Sequence, residues 1–410
     1  MPGRRGVRRW LGFMAAGLTA GAMVQCTRPA AEDAEQLFRQ NRWFDLRAAI
    51  SERTPALLRA AVATAFNAGT EAETLLWEIV RSQPDAADDA YELLCRVYRR
   101  SGLYARLGET HRQWAAAFPN STGVRRWAED RDKFSRPDQI NGARTPFVRE
   151  HPGTGYPRLP VSVNGIADDF IVDTGAWQSA LTDKEARKLG LTIREESATL
   201  LDASGRPTVF RTAVADEVTI GDMRFRNVSF AVIAPAGHFE GAELGIIGMP
   251  ILLAIGTIQW STSGTVTLGA TVPASSAATV PNLAFDRSRL LLSTGVLGKT
   301  VLTILDTGAN TTELNANFAD TFPELVRTAG KKGKADITGI GGSQTFDSVE
   351  LPELLFRIGN KDVAIRPASV TLQRIGIMGG ECCVGNAGHD LLLQGRGFSL
   401  DFAEMRLTVD

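Results

Sequence analysis

The sequence contains few cysteines and histidines, and these residues are not spaced as metal ligands. There are 4 cysteines and 4 histidines among 410 residues, and no Cys-x-x-Cys pair occurs. The adjacent Cys382 and Cys383 are favoured as reduced thiols over a vicinal disulfide. Because zinc sites in proteins use clustered Cys and His ligands, we expect no metal site, and nothing in the sequence indicates a cofactor.

An excess of charge of one sign is also missing. Lys and Arg together number 45 and Asp and Glu number 46, so the formal net charge is −1. Without a basic stripe the chain has no electrostatic footprint for DNA or RNA, and we expect no nucleic-acid partner. The 44% of hydrophobic and 22% of charged residues are typical of soluble globular domains.

Long hydrophobic runs are missing after the N-terminus. Four arginines within the first nine residues precede an uncharged, largely apolar run over 10–24, which is short for a membrane-spanning helix. We predict an export signal over 1–26 and a periplasmic or envelope-associated protein. Two alternatives remain open: Cys26 is the lipidated cysteine of a bacterial lipoprotein, or the segment is an uncleaved membrane anchor.

Helical periodicity is present over residues 30–135. Gly69 and Gly102 lie 33 residues apart, and Pro84 and Pro119 lie 35 residues apart. A period of this length, with Gly between two helices and Pro after the second, resembles degenerate tetratricopeptide repeats. The alternative is a plain helical spacer or cap, and nothing in this region indicates a role in chemistry.

The pattern changes near residue 150 to short β-branched runs separated by Gly, Asn and Asp turns, which is typical of an all-β region. Polar or low-complexity segments precede and divide this region. The predicted division is a linker over 136–150, a first lobe over 151–270, an inter-lobe linker over 271–283 and a second lobe over 284–410.

The two halves of the β region are repeats of one another. Each contains a strand, a tight turn, an apolar strand and then the sequence Asp-Thr-Gly-Ala, which begins at Asp173 and again at Asp306. Two further elements follow in the same order in both halves: a Gly-containing hairpin (Gly205 and Gly341) and a short segment ending in glycine (Gly248, and the weaker counterpart Gly388). Chance does not account for two such motifs at matching places.

This order of elements resembles that of the retropepsin-like and pepsin-like aspartic peptidases, over residues 150–410. The resemblance implies a mainly β fold of two pseudo-symmetric β-barrel lobes, preceded here by the α-helical region. It implies an aspartic endopeptidase whose paired catalytic carboxylates are Asp173 and Asp306. Two carboxylates about 3 Å apart cannot both ionise comfortably, so they share a proton and activate a water between them.

The resemblance also assigns supporting roles within each motif. The hydroxyls of Thr174 and Thr307 would hydrogen-bond across to the opposite lobe, and Gly175 and Gly308 would leave room for the partner aspartate. The predicted substrate-binding residues follow the motifs or lie in the hairpins: Ala176, Trp177, Ala309, Asn310, Gly205 and Gly341.

The sequence departs from the pepsin-like pattern in ways that affect function. Ala176 and Ala309 stand where pepsin-like enzymes have Ser or Thr, which predicts an optimum in the mildly acidic range because a hydroxyl hydrogen bond to the carboxylate is missing. No tyrosine follows Tyr156, so neither hairpin carries one. The expected partner is a peptide or protein substrate.

Two other interpretations remain open. One is an exported peptide-binding or scaffold protein that keeps the fold with little or no catalysis. The other pairs each lobe with the same lobe of a second chain. The tandem arrangement favours a monomer, because the neighbouring lobe is always at high effective concentration. A chain beginning near residue 145 is then expected to fold by itself.

Overall fold

A computed structural model of the protein describes residues 33–128, 136–150, 156–271, 280–374 and 382–410. The predicted export signal over 1–26 lies outside the described residues, as do Cys26 and 272–279 of the predicted inter-lobe linker, so those assignments stay predictions. Within the described ranges, no helix combines the length and the apolar character needed to span a bilayer.

Helices make up the described part of the N-terminal region, which confirms its predicted helical character. They are α1 Ala34–Arg39, α2 Trp43–Ala49, α3 Ala56–Ala65, α4 Gly69–Ser82, α5 Ala87–Arg100, α6 Tyr104–Ala117 and α7 Thr122–Trp127. Consecutive helices from α3 to α6 pack together because each carries an apolar stripe at 3.6-residue spacing. The tetratricopeptide-like character of this region stays a prediction.

The rest of the chain is mainly β. Residues 136–271 form β1 Ile140–Asn141, β2 Phe147–Glu150, β3 Arg158–Val163, β4 Ile166–Val172, β5 Ala180–Thr182, α8 Asp183–Lys188, β6 Ala198–Leu201, β7 Pro207–Ile220, β8 Met223–Ile233, β9 Gly245–Ile247, α9 Met249–Ile255, β10 Thr257–Ser261 and β11 Thr265–Leu268. Residues 280–410 form β12 Leu283–Asp286, β13 Arg289–Val296, β14 Lys299–Leu305, β15 Glu313–Leu314, α10 Ala316–Thr321, α11 Pro323–Ala329, β16 Lys331–Gly339, β17 Gly342–Leu351, β18 Leu354–Ile358, β19 Lys361–Ile365, β20 Ala368–Thr371, β21 Gly385–Ala387, α12 His389–Leu392, β22 Gly397–Asp401 and β23 Arg406–Val409.

Each lobe has its own sheet, and the two sheets have matching cores. The first has the order β1-β8-β5-β9-β4-β3-β7-β6, and the second has the order β16-β17-β20-β15-β21-β14-β13-β18-β19 with β12 on β13. In each lobe the strand before the Asp-Thr-Gly motif runs parallel to a short strand that ends before a glycine. Val172 lies opposite Ile247, and Leu305 lies opposite Ala387. The weak counterpart ending in Gly388 is therefore structurally equivalent to the segment ending in Gly248.

A third sheet joins the lobes. Its order is β2-β11-β10-β22-β23, so three strands of the first half continue directly into two strands of the second half. β10 of the first half pairs antiparallel with β22 of the second half, with Gln259 opposite Ser399. Since backbone hydrogen bonds within one sheet run from one lobe to the other, the two lobes of a single chain pair with each other. The predicted bilobal fold is confirmed.

Two strands lie within the segment 136–150 that the sequence predicts to be a linker. β1 pairs with β8, and β2 pairs with β11 at the edge of the joining sheet. Edge strands need backbone pairing rather than an apolar face, so a polar sequence is no obstacle to them. The exposed side chains of Ile140 and Val148 match that position.

The helical region packs on the lobes instead of standing apart. α2 and α3 lie against β12, and the guanidinium of Arg100 stacks 4.1 Å from the ring centroid of Phe285. The side-chain amide of Asn67 donates to the Phe402 carbonyl at 2.8 Å. Helix residues and lobe residues belong to one continuous apolar core. Residues 33–128 are thus part of the folded body, which is at odds with the expectation that the lobes fold by themselves.

Candidate active site

Asp173 and Asp306 each follow a buried apolar strand, β4 and β14. The backbone N–H of Asp173 donates to the Ile247 carbonyl, and that of Asp306 donates to the Ala387 carbonyl, both at 3.0 Å. These hydrogen bonds fix the backbone at the end of each strand, so that each aspartate lies at the interface between the lobes. The structure brings the two predicted carboxylates together across the pseudo-twofold axis.

The side chains of the pair are in contact. The two carboxyl groups are hydrogen-bonded to each other. A methyl group added at Gly175 would lie 2.6 Å from the Asp306 carboxyl carbon, and one added at Gly308 would lie 2.4 Å from that of Asp173. Each predicted supporting glycine is thus the only residue that leaves room for the aspartate of the other lobe.

The predicted hydrogen bonds of the two threonines are present and reciprocal. The Thr174 hydroxyl donates to the Leu305 carbonyl at 2.8 Å and accepts from the Thr307 N–H at 3.1 Å. The Thr307 hydroxyl donates to the Val172 carbonyl at 2.6 Å and accepts from the Thr174 N–H at 3.1 Å. Both side chains are buried, with 1% and 0% exposure. The two loops are consequently locked in one relative position.

The hydrogen bonds to the two carboxylates differ. In Asp173, Oδ1 accepts from the N–H groups of Gly175 at 2.8 Å and Ala176 at 3.1 Å. In Asp306, Oδ1 accepts from the Gly308 N–H at 3.0 Å and Oδ2 accepts from the Asn386 side-chain amide at 2.9 Å. Burial and the adjacent Asp306 raise the pKa of Asp173 well above its ordinary value. The donors to Asp173 therefore meet one oxygen only, whereas those to Asp306 meet both.

The pair faces a cleft of about 580 Å³ that both lobes line. Four of the six predicted substrate-binding residues are in its wall: Ala176, Trp177, Ala309 and Asn310. Gly205 and Gly341 are at the turns of two hairpins, β6–β7 and β16–β17, and they are not part of the wall. Their neighbours Ala203 and Ile340 reach the cleft instead.

The two hairpins meet over the cleft through Asp202. One carboxylate oxygen of Asp202 accepts from the Ser204 hydroxyl at 2.7 Å and the Arg206 N–H at 2.9 Å, within its own hairpin. The other accepts from the Gly341 N–H of the second hairpin at 2.8 Å. Asp202 is 5% exposed, so these charge-assisted bonds are shielded from water. The covering hairpins are therefore latched to each other.

Replacing Asp202 with asparagine is expected to loosen that latch. The amide keeps the shape but loses the negative charge that three donors share, so the open arrangement of the hairpins gains population. Because a hydrogen bond to a charged group contributes about 1.5–3 kcal/mol, we expect kcat/KM for a peptide to fall about tenfold, mainly through KM. Ser204→Ala is the matched control, since it removes a contact within one hairpin only. Equal losses in both variants would argue against a latch between hairpins.

Several polar residues of the cleft wall were not predicted from the sequence, and three of them lie near the carboxyl pair: Tyr156, Glu313 and Asn386. Glu313 and Asn386 are at the positions that Ala180 and Ile246 have in the first lobe, because both pairs face each other in the same register. An alignment of the two repeats could have found Glu313, since Ala180 and Glu313 each follow the aspartate of their own lobe by seven residues. The Tyr156 hydroxyl bonds to Asn310, a contact between distant segments that no local pattern indicates.

Cysteine chemistry differs from the sequence expectation. Cys382 and Cys383 form a vicinal disulfide, where the sequence favoured reduced thiols, because the side chains of these adjacent residues face each other. Among the residues that the structure describes, no group of three or more His, Cys, Asp or Glu side chains is arranged to hold a metal ion.

Comparison with known proteins identifies a family whose model matches the first lobe. Residues 159–253 match the family model described as gag-polyprotein putative aspartyl protease. No curated protein matches the chain. Among solved structures, a retropepsin-like aspartic protease from Rickettsia conorii is 24% identical, with 32% of this chain and 92% of that chain covered and a TM-score of 0.24. The family match confirms the retropepsin-like resemblance predicted from the repeated motifs.

Proposed function

Because residues 159–253 are retropepsin-like in sequence and the second lobe repeats their loop geometry, we propose that the protein is an aspartic endopeptidase. A water activated between Asp173 and Asp306 would hydrolyse the peptide bond. One observation carries the proposal: the two Asp-Thr-Gly loops of a single chain meet through reciprocal threonine bonds, with both carboxyls facing one cleft.

The hydrogen bonds support different roles for the two carboxyls. Both oxygens of Asp306 accept hydrogen bonds, which stabilises its ionised form, so Asp306 takes the proton of the attacking water. Asp173 holds the shared proton and donates it to the carbonyl oxygen of the scissile bond. As the tetrahedral intermediate breaks down, Asp306 gives the water proton to the leaving amine and Asp173 regains its proton from a hydroxyl of the intermediate, so the pair is regenerated.

The shape of the cleft supports cleavage within a chain. Walls from both lobes flank the carboxyls, and the two hairpins close over them. An extended segment can therefore pass through the cleft and place residues on both sides of the pair. Since one chain supplies both aspartates, the active species would be a monomer.

A peptide library tests the proposal directly. The purified full chain is incubated with the library between pH 3 and 8, and products are identified by mass spectrometry. We expect internal cleavages that are blocked by a peptide whose scissile amide is replaced by a tetrahedral hydroxyl-bearing group, because such a group resembles the intermediate. A folded protein that cleaves nothing across this range would overturn the proposal and favour the peptide-binding alternative.

The pH profile is expected to peak in the mildly acidic range. Because the pKa of Asp173 is raised, the pair keeps its shared proton at a pH at which an isolated aspartate would have lost it. The basic limb of the pH–rate profile therefore extends to higher pH. Asn386→Ile, which copies Ile246, removes the amide that stabilises the ionised Asp306, so the acid limb moves to higher pH. Initial rates between pH 3 and 8 check both points, and a wild-type peak near pH 2 would contradict the first.

A further inference from the structure

The walls of the cleft on the two sides of the catalytic pair have opposite character at equivalent positions. Strand register matches five positions of the first lobe with five of the second. The first-lobe set is apolar and packs as one cluster: Ala180, Phe210, Ala231, Ile233 and Ile246. The second-lobe set is polar: Glu313, Ser348, Ser369, Thr371 and Asn386. Of these, Glu313 and Asn386 line the cleft, at the positions that Ala180 and Ile246 have in the first-lobe wall. A fold that is symmetric in its backbone therefore offers two chemically different walls.

Glu313 is the charged member of the polar wall. Its half-buried side chain lines the cleft, and among the described residues none forms a hydrogen bond or an ion pair with its carboxyl group. Burial, and then the nearby carboxyls of Asp306 and Asp390, raise the pKa of Glu313 to about 7. A buried carboxylate without a cation is costly, so a positive group entering the cleft would relieve this cost.

The rest of the cleft does not supply that cation. Its wall contains five carboxyl groups and no Lys, Arg or His among the described residues. Asp202 is engaged by the hairpins, and Asp336 accepts from the Thr345 hydroxyl at 2.5 Å. Asp173 and Asp306 are committed to each other. Glu313 is thus the carboxyl of the wall that remains open to a substrate.

We propose that Glu313 makes the second-lobe wall a subsite for a lysine or arginine side chain of the substrate, while the first-lobe wall takes an apolar side chain. The two subsites are related by the pseudo-twofold axis between the aspartates, so they contact residues on opposite sides of the scissile bond. This inference rests on the proposed peptidase function. It assigns a substrate class: segments with an apolar residue on one side of the cleaved bond and a basic residue on the other.

The preference for a basic side chain is expected to grow with pH. The charged groups that face Glu313 are Asp306 after β14 and Asp390 on α12, while Asn386 on β21 is neutral. Only an ionised Glu313 attracts the cation, and ionisation increases as pH rises toward about 7. Lysine and arginine remain charged throughout, so the change in preference reports on the carboxyl.

Matched substrates test the subsite on the full chain. Two fluorogenic peptides differ only at the residue facing the second lobe, lysine in one and norleucine in the other, and the orientation is taken from the library cleavages. We expect wild type to favour lysine in kcat/KM by about tenfold to a hundredfold at pH 6.5, as for a hydrogen bond to a charged group. Glu313→Gln is expected to reduce this ratio to within about threefold of one.

Two comparisons keep the test decisive. Asp336→Asn removes another carboxyl of the same wall and is expected to retain the wild-type ratio; an equal loss in this variant would assign the effect to the overall field and overturn the proposal. In wild type, the ratio is expected to fall between pH 6.5 and 4.5, which needs no variant to fold. A wild-type enzyme that cleaves the norleucine peptide without preferring lysine would overturn the subsite alone. Cleavage of no peptide would overturn the proposed function instead.

Discussion

Asp173→Asn and Asp306→Asn are each expected to lower kcat by about 10⁴-fold or more while the protein stays folded. Either amide removes one partner from the pair that shares a proton, so the general acid or the general base is lost. Neither substitution changes the size of the side chain, and the reciprocal bonds of Thr174 and Thr307 do not involve the carboxyls. Turnover of a peptide found by the library gives the rates.

Stability provides an independent check on the same variants. The raised pKa of Asp173 means that the folded state disfavours its ionised form, so ionisation destabilises the protein above the ordinary aspartate pKa. Asp173→Asn removes that cost, and we expect an unchanged or higher Tm at pH 7, with the difference shrinking toward pH 4. Asp320→Asn, at an exposed position in the second lobe, is the control. If either dyad variant kept more than about a tenth of wild-type turnover, the assignment would be wrong.

Removal of the helical region is the second change with a large expected effect. A chain that begins at residue 136 exposes Phe285 and the neighbouring surface of the lobes to water, because α2, α3 and Arg100 cover them. It also loses the Asn67 bond to the Phe402 carbonyl. We expect an insoluble product, or a Tm lowered by more than about 10 °C, since large apolar surfaces promote aggregation.

A point variant tests the contact between the helical region and the lobes without shortening the chain. Asn67→Gly keeps the left-handed backbone at φ 59° but removes the amide that reaches Phe402. We expect it to lower the free energy of unfolding by about 1 kcal/mol, measured by urea titration. A shortened chain that unfolded cooperatively at the Tm of the full protein would show that the helices and the lobes are independent.

Much of the candidate site could be predicted from sequence because its main elements are local. Asp173 and Asp306 each begin a four-residue motif that follows an apolar strand. Because the motif occurs twice, the sequence already indicated that the two aspartates form a pair. Asn386 shows the limit of that approach. Its segment looked like a poor match to the apolar segment ending in Gly248, yet the backbone register is the same and the amide contacts Asp306. The polar residue in an expected apolar place therefore belongs to the equivalent strand and contacts the candidate pair.

The position of the helical region shows a different limit. Helical periodicity predicted that α3 to α6 would form, since an apolar stripe is visible in a single segment. Which surface of another domain receives Arg100 or Asn67 depends on shapes that form only when both parts have folded. The same holds for residues 136–150, where β1 and β2 gain their strand geometry from partners far along the chain.

The sequence by itself determined that this protein is mainly β after residue 150, that it contains two copies of one lobe, and that each copy presents an aspartate in a tight glycine turn. These features are set by alternation, turn chemistry and repetition, which act over short distances. Only the tertiary structure decided that the lobes share one sheet, that Asp202 joins the two hairpins and that Glu313 faces a cleft whose described wall contains no Lys, Arg or His. The physical reason is that these properties depend on which distant side chains become neighbours and on how much water is excluded between them, and neither is encoded in any single segment.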